Sequence, residues 1–353
     1  MRISSYSRFS TSALAHLSSV RKTVDEAVSS DLVYTDGPAH GLDYDEAFVG
    51  AVELPDGRVL LSAYSGRQWA IYDPTENSLT NIATQSGSSR YNFGCLALNG
   101  LAVFAPRLAS TVKYFDWRTN SFGEVTAVGG YDGAVALKNG KVLLVPRTAA
   151  YLGIFDPVNK TFSLSSVANP NALSAGCLLP DGRVIMVSWL SSDQPVYIYD
   201  PNTDTMETGP YIGAGPWAGA CLTKTGDVVI TPYSGNGLRI YRPQDGSFYE
   251  RERDDFLGTG KCRGNGKLLP DGRIVFPPYN YGAVPVYDPV ADTVESIDIG
   301  ISGGTAQFAG AFSLPDGSVG LVPFDAGKIV IVSGTTSGKL SDAWRQGIFN
   351  NCN

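Results

Sequence analysis

Histidine is nearly missing from this chain. Its 353 residues include two, His16 and His40, both ahead of the repeats described below. A histidine-ligated metal within the repeats is all but excluded on residue supply. No Ser-His-Asp constellation can be assembled there either. Positive charge is short as well: 27 Lys and Arg stand against 34 Asp and Glu, a net charge of -7. Nucleic acid is therefore not expected as a partner, because phosphate binding needs a basic face. No apolar run is long enough to span a membrane. No apolar stretch of signal-peptide length follows the basic residue near the start, so no secretion signal is expected. A CxxC pair is lacking, and five cysteines, an odd number, do not make a disulfide framework. Cys95, Cys177, Cys221 and Cys262 fall on the first strand of their repeats, where a small apolar side chain is wanted, so they read as buried thiols rather than metal ligands. Neither a metal nor a cofactor is expected.

What is present is a repeat. Leu54-Pro55-Asp56-Gly57-Arg58-Val59-Leu60-Leu61 is followed by Ile71-Tyr72-Asp73-Pro74. The same phrase returns at Leu179-Pro180-Asp181-Gly182, at Leu269-Pro270-Asp271-Gly272 and at Leu314-Pro315-Asp316-Gly317, with looser copies around Gly100, Gly140 and Gly226. The seven turn glycines, 57, 100, 140, 182, 226, 272 and 317, are 40 to 46 residues apart. A period in this range marks a stacked or circular array. Each unit reads as a strand, a tight turn in which glycine supplies positive φ, a β-branched strand, an alternating strand ending at Tyr-Asp-Pro or its equivalent, and a more polar fourth strand. Four short antiparallel strands repeated seven times predict an all-β, seven-bladed β-propeller.

The segments outside the repeat define three regions. Residues 1–30 carry Leu14, Leu17, Val20 and Val24 at helical spacing, which predicts an amphipathic helix that packs on its own propeller or anchors the chain to others. Residues 31–334 form the propeller. The last repeat shows three strands and no clear fourth, so residues 31–36 are expected to supply the outer strand of blade 7 and close the ring. Residues 335–353, with Trp344, Ile348 and Phe349, are too apolar to stay solvated and predict a docking tail.

LPDGRVL followed by YDP resembles the kelch-like repeat of bacterial and viral propellers over roughly residues 46–333. The resemblance implies the propeller fold and is nearly silent on activity. Kelch repeats usually end the second strand in a glycine pair. Here that position reads Ala63-Tyr64, Pro106-Arg107, Pro146-Arg147, Ser188-Trp189, Pro232-Tyr233, Pro278-Tyr279 and Pro323-Phe324, so the chain is a divergent member. The copper oxidases built on such propellers use histidine ligands, which these repeats lack.

That departure predicts a ring of one residue per blade around the axis: Tyr64, Arg107, Arg147, Trp189, Tyr233, Tyr279 and Phe324. The connections between blades add Phe48, Tyr91, Tyr131, Trp217, Arg263 and Phe308. Aromatic rings and guanidinium groups suit glycan faces, carboxylates or protein hot spots. The competing expectation is that the aromatics wedge between blades and never meet solvent. The arginines weigh against it, since arginine is seldom fully buried without a partner. Asp73, Asp156, Asp200 and Asp288 recur with the period and are read as turn formers. Asp200, Asn202 and Asp204 have calcium-like spacing without the rest of a calcium loop.

Three functional expectations follow. The first is a non-enzymatic binding or structural propeller in an oligomeric assembly, a phage virion protein of tail, spike or capsid. It would be held to other chains by its N-terminal helix and C-terminal tail, with a cell-surface glycan as a further partner. The second is a polysaccharide lyase or glycoside hydrolase working in the axial depression, which requires an Asp or Glu beside Arg107 and Arg147 in an open pocket. The third is a cytoplasmic interaction module of kelch type.

Overall fold

The computed structural model describes residues 32–334 apart from 43–45, 66–67, 86, 88–89, 235–236, 252–259 and 302–304. The expected helix with Leu14, Leu17, Val20 and Val24, and the C-terminal tail, both lie outside the described residues. No helix occurs among the described residues.

Seven four-stranded antiparallel sheets follow one another around an axis. Blade 1 is representative: Phe48–Glu53 lies innermost, then Val59–Ala63, Gln68–Asp73 and the outer Ser78–Thr84. The two inner strands are buried throughout, whereas the outer strand is half-buried to exposed along its whole length, as expected of a sheet packed between two neighbours and wetted only at its rim. Blade 7 consists of Phe308–Ser313, Val319–Pro323 and Lys328–Gly334, and its fourth strand is Leu32–Ala39, from the other end of the chain. The register runs from Leu32 opposite Gly334 to Asp36 opposite Val330, and Lys328 reaches Asp36 at 2.5 Å. This strand is longer than the expected 31–36. Pairing continues past Gly37-Pro38 through an irregularity and ends with Ala39 opposite Lys328.

The turns explain the repeat. In blade 1 the amide of Gly57 donates to Leu54 O at 3.0 Å with the glycine at φ 91°, and the Asp56 carboxylate accepts the amide of Arg58 at 3.1 Å. The Asp-Pro turns work likewise: Asp73, Asp156, Asp200 and Asp288 each accept a main-chain amide two residues on, at 2.8–2.9 Å. These periodic carboxylates belong to their turns. Asp204 is similarly committed. Burial works against its charge, but hydrogen bonds from Ser165 Oγ, from Ser166 N and Oγ, and from Tyr199 OH prevail and hold its carboxyl down to about 2. No group of His, Cys, Asp and Glu arranged for a metal occurs among the described residues.

Candidate functional site

The seven residues that follow the second strands sit at equivalent places because one hydrogen bond is repeated in every blade. The amides of Tyr64, Arg107, Arg147, Trp189, Tyr233, Tyr279 and Phe324 donate to the residue ahead of, or opening, their own inner strand, at 2.7–3.1 Å. Five of the seven follow a proline and none can extend the sheet, so each side chain is turned toward the axis at one face of the disc.

A second ring comes from the inner strands. In six blades the pairing of the first two strands slips by one residue just after the inner strand begins, as between Phe48 and Gly50 or between Tyr131 and Gly133. Such a bulge leaves a residue outside the ladder and re-aims its side chain. Asn92, Asp132, Ser174 and Ala218 occupy this place and face the axis. Blade 6 reaches the same result differently. Its inner strand is reduced to Lys267–Leu268, and the chain before it is held by a bridge between Cys262 and Pro278 and by a bond from Arg263 N to Pro277 O. Arg263 is thereby set on the axis.

Together these residues enclose a cup of about 190 Å³, open to solvent at one face. At about 30 Å³ per molecule it holds some six waters. Phe93 lines the cup and also a second hollow of about 20 Å³ on the axis, walled by Gly50, Gly94, Ala311 and Asn265 among others. The second hollow takes roughly one water.

The cup has two unlike walls. One is an aromatic arc with ring centroids 4.5 Å apart for Trp189 and Tyr233, 5.9 Å for Tyr233 and Tyr279, 5.5 Å for Tyr279 and Phe324, and 5.2 Å for Phe324 and Tyr64. The other is ionic. Asp132, buried, accepts Arg147 Nη1 at 2.9 Å and Asn92 Nδ2 at 3.1 Å, and Arg107 Nε lies 3.7 Å away. Arg147 also covers the Trp189 ring at 4.5 Å and so joins the two walls. Burial raises the Tyr279 phenol above its ordinary value, against the opposing pull of Arg263, so it stays protonated at neutral pH.

Of the residues expected to face the axis, Tyr64, Arg107, Arg147, Trp189, Tyr233, Tyr279 and Arg263 line the cup. Phe324 is buried beneath Arg263. Tyr91, Tyr131 and Trp217 are fully buried, as are Phe48 and Phe308. They open their inner strands and pack away from the axis: Tyr91 meets Trp69 of the preceding blade, and Tyr131 shares a core cluster with Val103 and Val112 of the preceding blade and meets Phe162 of its own. The reason is parity: successive side chains of a strand point to opposite sides, and the axial position is the next residue along. Asn92, Asp132 and Ser174 occupy that next place and were not expected from the sequence. Aligning the seven inner strands residue by residue would have singled it out as the place where polar side chains interrupt a small apolar pattern.

No known protein family matches the sequence, and no curated protein is similar to it. The fold has solved counterparts. A streptogramin B lyase structure is similar with a TM-score of 0.72 at 14% identity, over 86% of this chain and 98% of that one. A catalytically inactive histidine-to-alanine variant of virginiamycin B lyase from Staphylococcus aureus, with quinupristin, gives 0.73 at 11% identity, over 86% and 99%. The extracellular domain of a putative hybrid two-component system from B. thetaiotaomicron gives 0.61 at 12% identity, over 82% of this chain and 40% of that one. At these identities the likeness shows the seven-bladed propeller fold alone.

Proposed function

We propose that this chain is a non-enzymatic binding propeller whose axial cup holds a single sugar ring of a glycan. One observation carries this reading: the cup joins an aromatic arc to fixed hydrogen-bonding groups, and its one carboxylate, Asp132, is held by Arg147 and Asn92. Aromatic faces take the apolar side of a sugar ring, and polar groups fix its orientation. Asp132 is committed to Arg147 and Asn92, and Tyr279 stays protonated. Titrating neutral and acidic monosaccharides while following tryptophan fluorescence tests the reading. Trp189→Ala is expected to abolish binding without loss of fold. Failure of every sugar to bind the intact chain would remove it.

A polysaccharide lyase is the second reading, favoured by one arrangement: Arg107 and Arg147 line an open cup beside Asp132. The S. aureus lyase variant is inactive with a histidine replaced, and the lining of this cup contains no histidine. Appearance of unsaturated product from a uronate polymer, lost in Tyr279→Phe, would favour the enzyme.

The setting we propose is a larger oligomeric assembly, a phage virion, with residues 1–30 and 335–353 as attachments to other chains. Sedimentation of the full chain and of a chain starting at residue 31 tests it, with a fall in mass expected on truncation. Two equal, monomeric masses would instead favour an interaction module of kelch type.

A further inference from the structure

We infer that the group recognised in the axial cup is an oxyanion carried on the sugar ring, a uronate carboxylate in the first instance, and that Arg263 is the residue that selects it. The inference rests on the reading of the cup as a sugar site and narrows it to acidic sugars.

Charge supply is the first ground. The cup contains three guanidinium groups, Arg107, Arg147 and Arg263, and one carboxylate, Asp132. Three positive charges less one negative leave +2, in a chain whose net charge is -7. Concentrated opposite charge in a cleft of low dielectric attracts an anion. The three arginines are not equivalent. Arg107 and Arg147 flank Asp132. The guanidinium of Arg263 meets rings instead: its carbon lies 5.1 Å from the Phe324 centroid, 5.2 Å from Tyr279 and 5.6 Å from Tyr64. Among the described residues its one side-chain hydrogen bond runs from Nη1 to Tyr279 OH at 3.4 Å. Of the five N–H groups of a guanidinium, most are therefore left for a ligand.

Placement is the second ground. Every other blade carries an ordinary inner strand past the axis, whereas blade 6 gives most of its inner strand up to present Arg263. The turn depends on Gly264 at φ 80°, where an added Cβ would lie 2.9 Å from Ala309 O and 3.1 Å from the Phe93 ring. An arginine backed by aromatic faces keeps its plane fixed and its donors forward, which matches the two oxygens of a carboxylate. Tyr279 OH stands beside it as a further donor, and the arc of Trp189 and Tyr233 takes the ring of the same molecule.

The test uses the full chain at low salt, titrated with galactose, galacturonate and inorganic phosphate. Galacturonate is expected to bind at least tenfold more tightly than galactose, with an affinity that falls as salt rises. Arg263→Gln should erase that difference, lowering galacturonate affinity by at least tenfold and galactose affinity by much less, with far-UV circular dichroism confirming that the variant is folded. Arg263→Lys should keep part of it, because the charge remains and the fork is lost. Phosphate competing with galacturonate for the intact chain, and not for Arg263→Gln, would support oxyanion selection and extend it to phosphorylated sugars. Equal affinities for galactose and galacturonate would overturn the inference and leave the sugar site standing. Binding of neither sugar would remove both.

Discussion

Asp132 Oδ2 accepts Arg147 Nη1 at 2.9 Å while its Oδ1 accepts Asn92 Nδ2 at 3.1 Å, so one buried carboxylate ties the second strand of blade 3 to the inner strand of blade 2. Arg107 of blade 2 stands on its other side at 3.7 Å. Removing the acceptor takes away the hydrogen-bond partner of a buried amide and the carboxylate between two guanidinium groups. A fully buried pair broken on one side costs about 3–5 kcal/mol, but the arginine side chains are 22% and 27% exposed and water can reach them. Asp132→Ala is therefore expected to lower the unfolding free energy by about 1–3 kcal/mol in urea titrations. The same variant adds one positive charge to the cup, so it should bind galacturonate more tightly at low salt. Unchanged stability would mean that the two hydrogen bonds and the ion pair contribute nothing.

Tyr131 sits one residue before Asp132 and serves the opposite purpose. Its ring is fully buried, its hydroxyl finds no hydrogen-bond partner among the described residues, and burial pushes its phenol up to about 12. A buried hydroxyl without a partner costs about 1–3 kcal/mol. Tyr131→Phe should leave stability unchanged or raise it by about 1 kcal/mol, and should leave ligand binding untouched. Loss of binding in this variant would place Tyr131 back at the site.

The contrast between these neighbours shows what was legible in the chain. The turn glycines and the residues after the second strands recur with the period, so the seven blades and most of the aromatic arc could be located by counting. The inner ring could not, because a one-residue bulge near the start of the inner strand shifts which side chain meets the axis. The bulky Tyr91, Tyr131 and Trp217 stand out in the sequence, whereas the polar Asn92, Asp132 and Ser174 beside them carry no periodic signal. Arg263 stands in the connection between blades and, unlike the aromatics of the other connections, lines the cup. The closing strand was placed correctly but cut short, since Gly37-Pro38 looks like a terminator and instead lies within a register irregularity.

His40 follows that closing strand and is bonded as a neutral imidazole. Leu42 N donates to its Nδ1 at 3.1 Å, and Nε2 lies 3.0 Å from Ala326 O, which can only accept. A second ring proton would confront the Leu42 amide. Burial lowers its pKa below the ordinary 6.5, partly opposed by the bond to Ala326. The unfolded chain then takes up the proton first. The stability is fully present above pH 6.5 and is lost as pH falls from there through the lowered folded value. Melting temperatures between pH 7.5 and 5 should decline, and His40→Gln should flatten that decline. An imidazole titrating at or above 6.5 by NMR would contradict it.

The pairing of Leu32–Ala39 with Lys328–Gly334 covers an edge that would otherwise expose Val330 and Val332. Open edges recruit other strands. A chain beginning at Gly41 is expected to associate with rising concentration and to melt at lower temperature. A peptide spanning residues 31–40, added in trans, should restore both toward the intact values. A truncated chain that stays monomeric and melts normally would show that closure needs no strand from the other terminus.

Where the inner strands of blades 1 and 6 end, Lys267 Nζ lies 3.0 Å from Glu53 Oε1, both side chains being almost wholly buried, and Ser313 N of blade 7 donates to the same oxygen at 2.8 Å. One carboxylate thus joins blades 1, 6 and 7, the sector where the ring is closed and where blade 6 has the least regular inner strand. Two charges taken from water regain much of their solvation cost through each other, so losing one is worse than losing both. Lys267→Met should cost about 3–5 kcal/mol in denaturant unfolding, and the double variant Glu53→Leu with Lys267→Met should recover most of it. A single variant costing under about 1 kcal/mol would mean that Glu53 is neutralised by something other than Lys267. The cycle also bears on the cup, because Arg263 and Lys267 leave the same short segment of blade 6. If the pair anchors that segment, Lys267→Met should weaken galacturonate binding, and the double variant should restore it together with the stability.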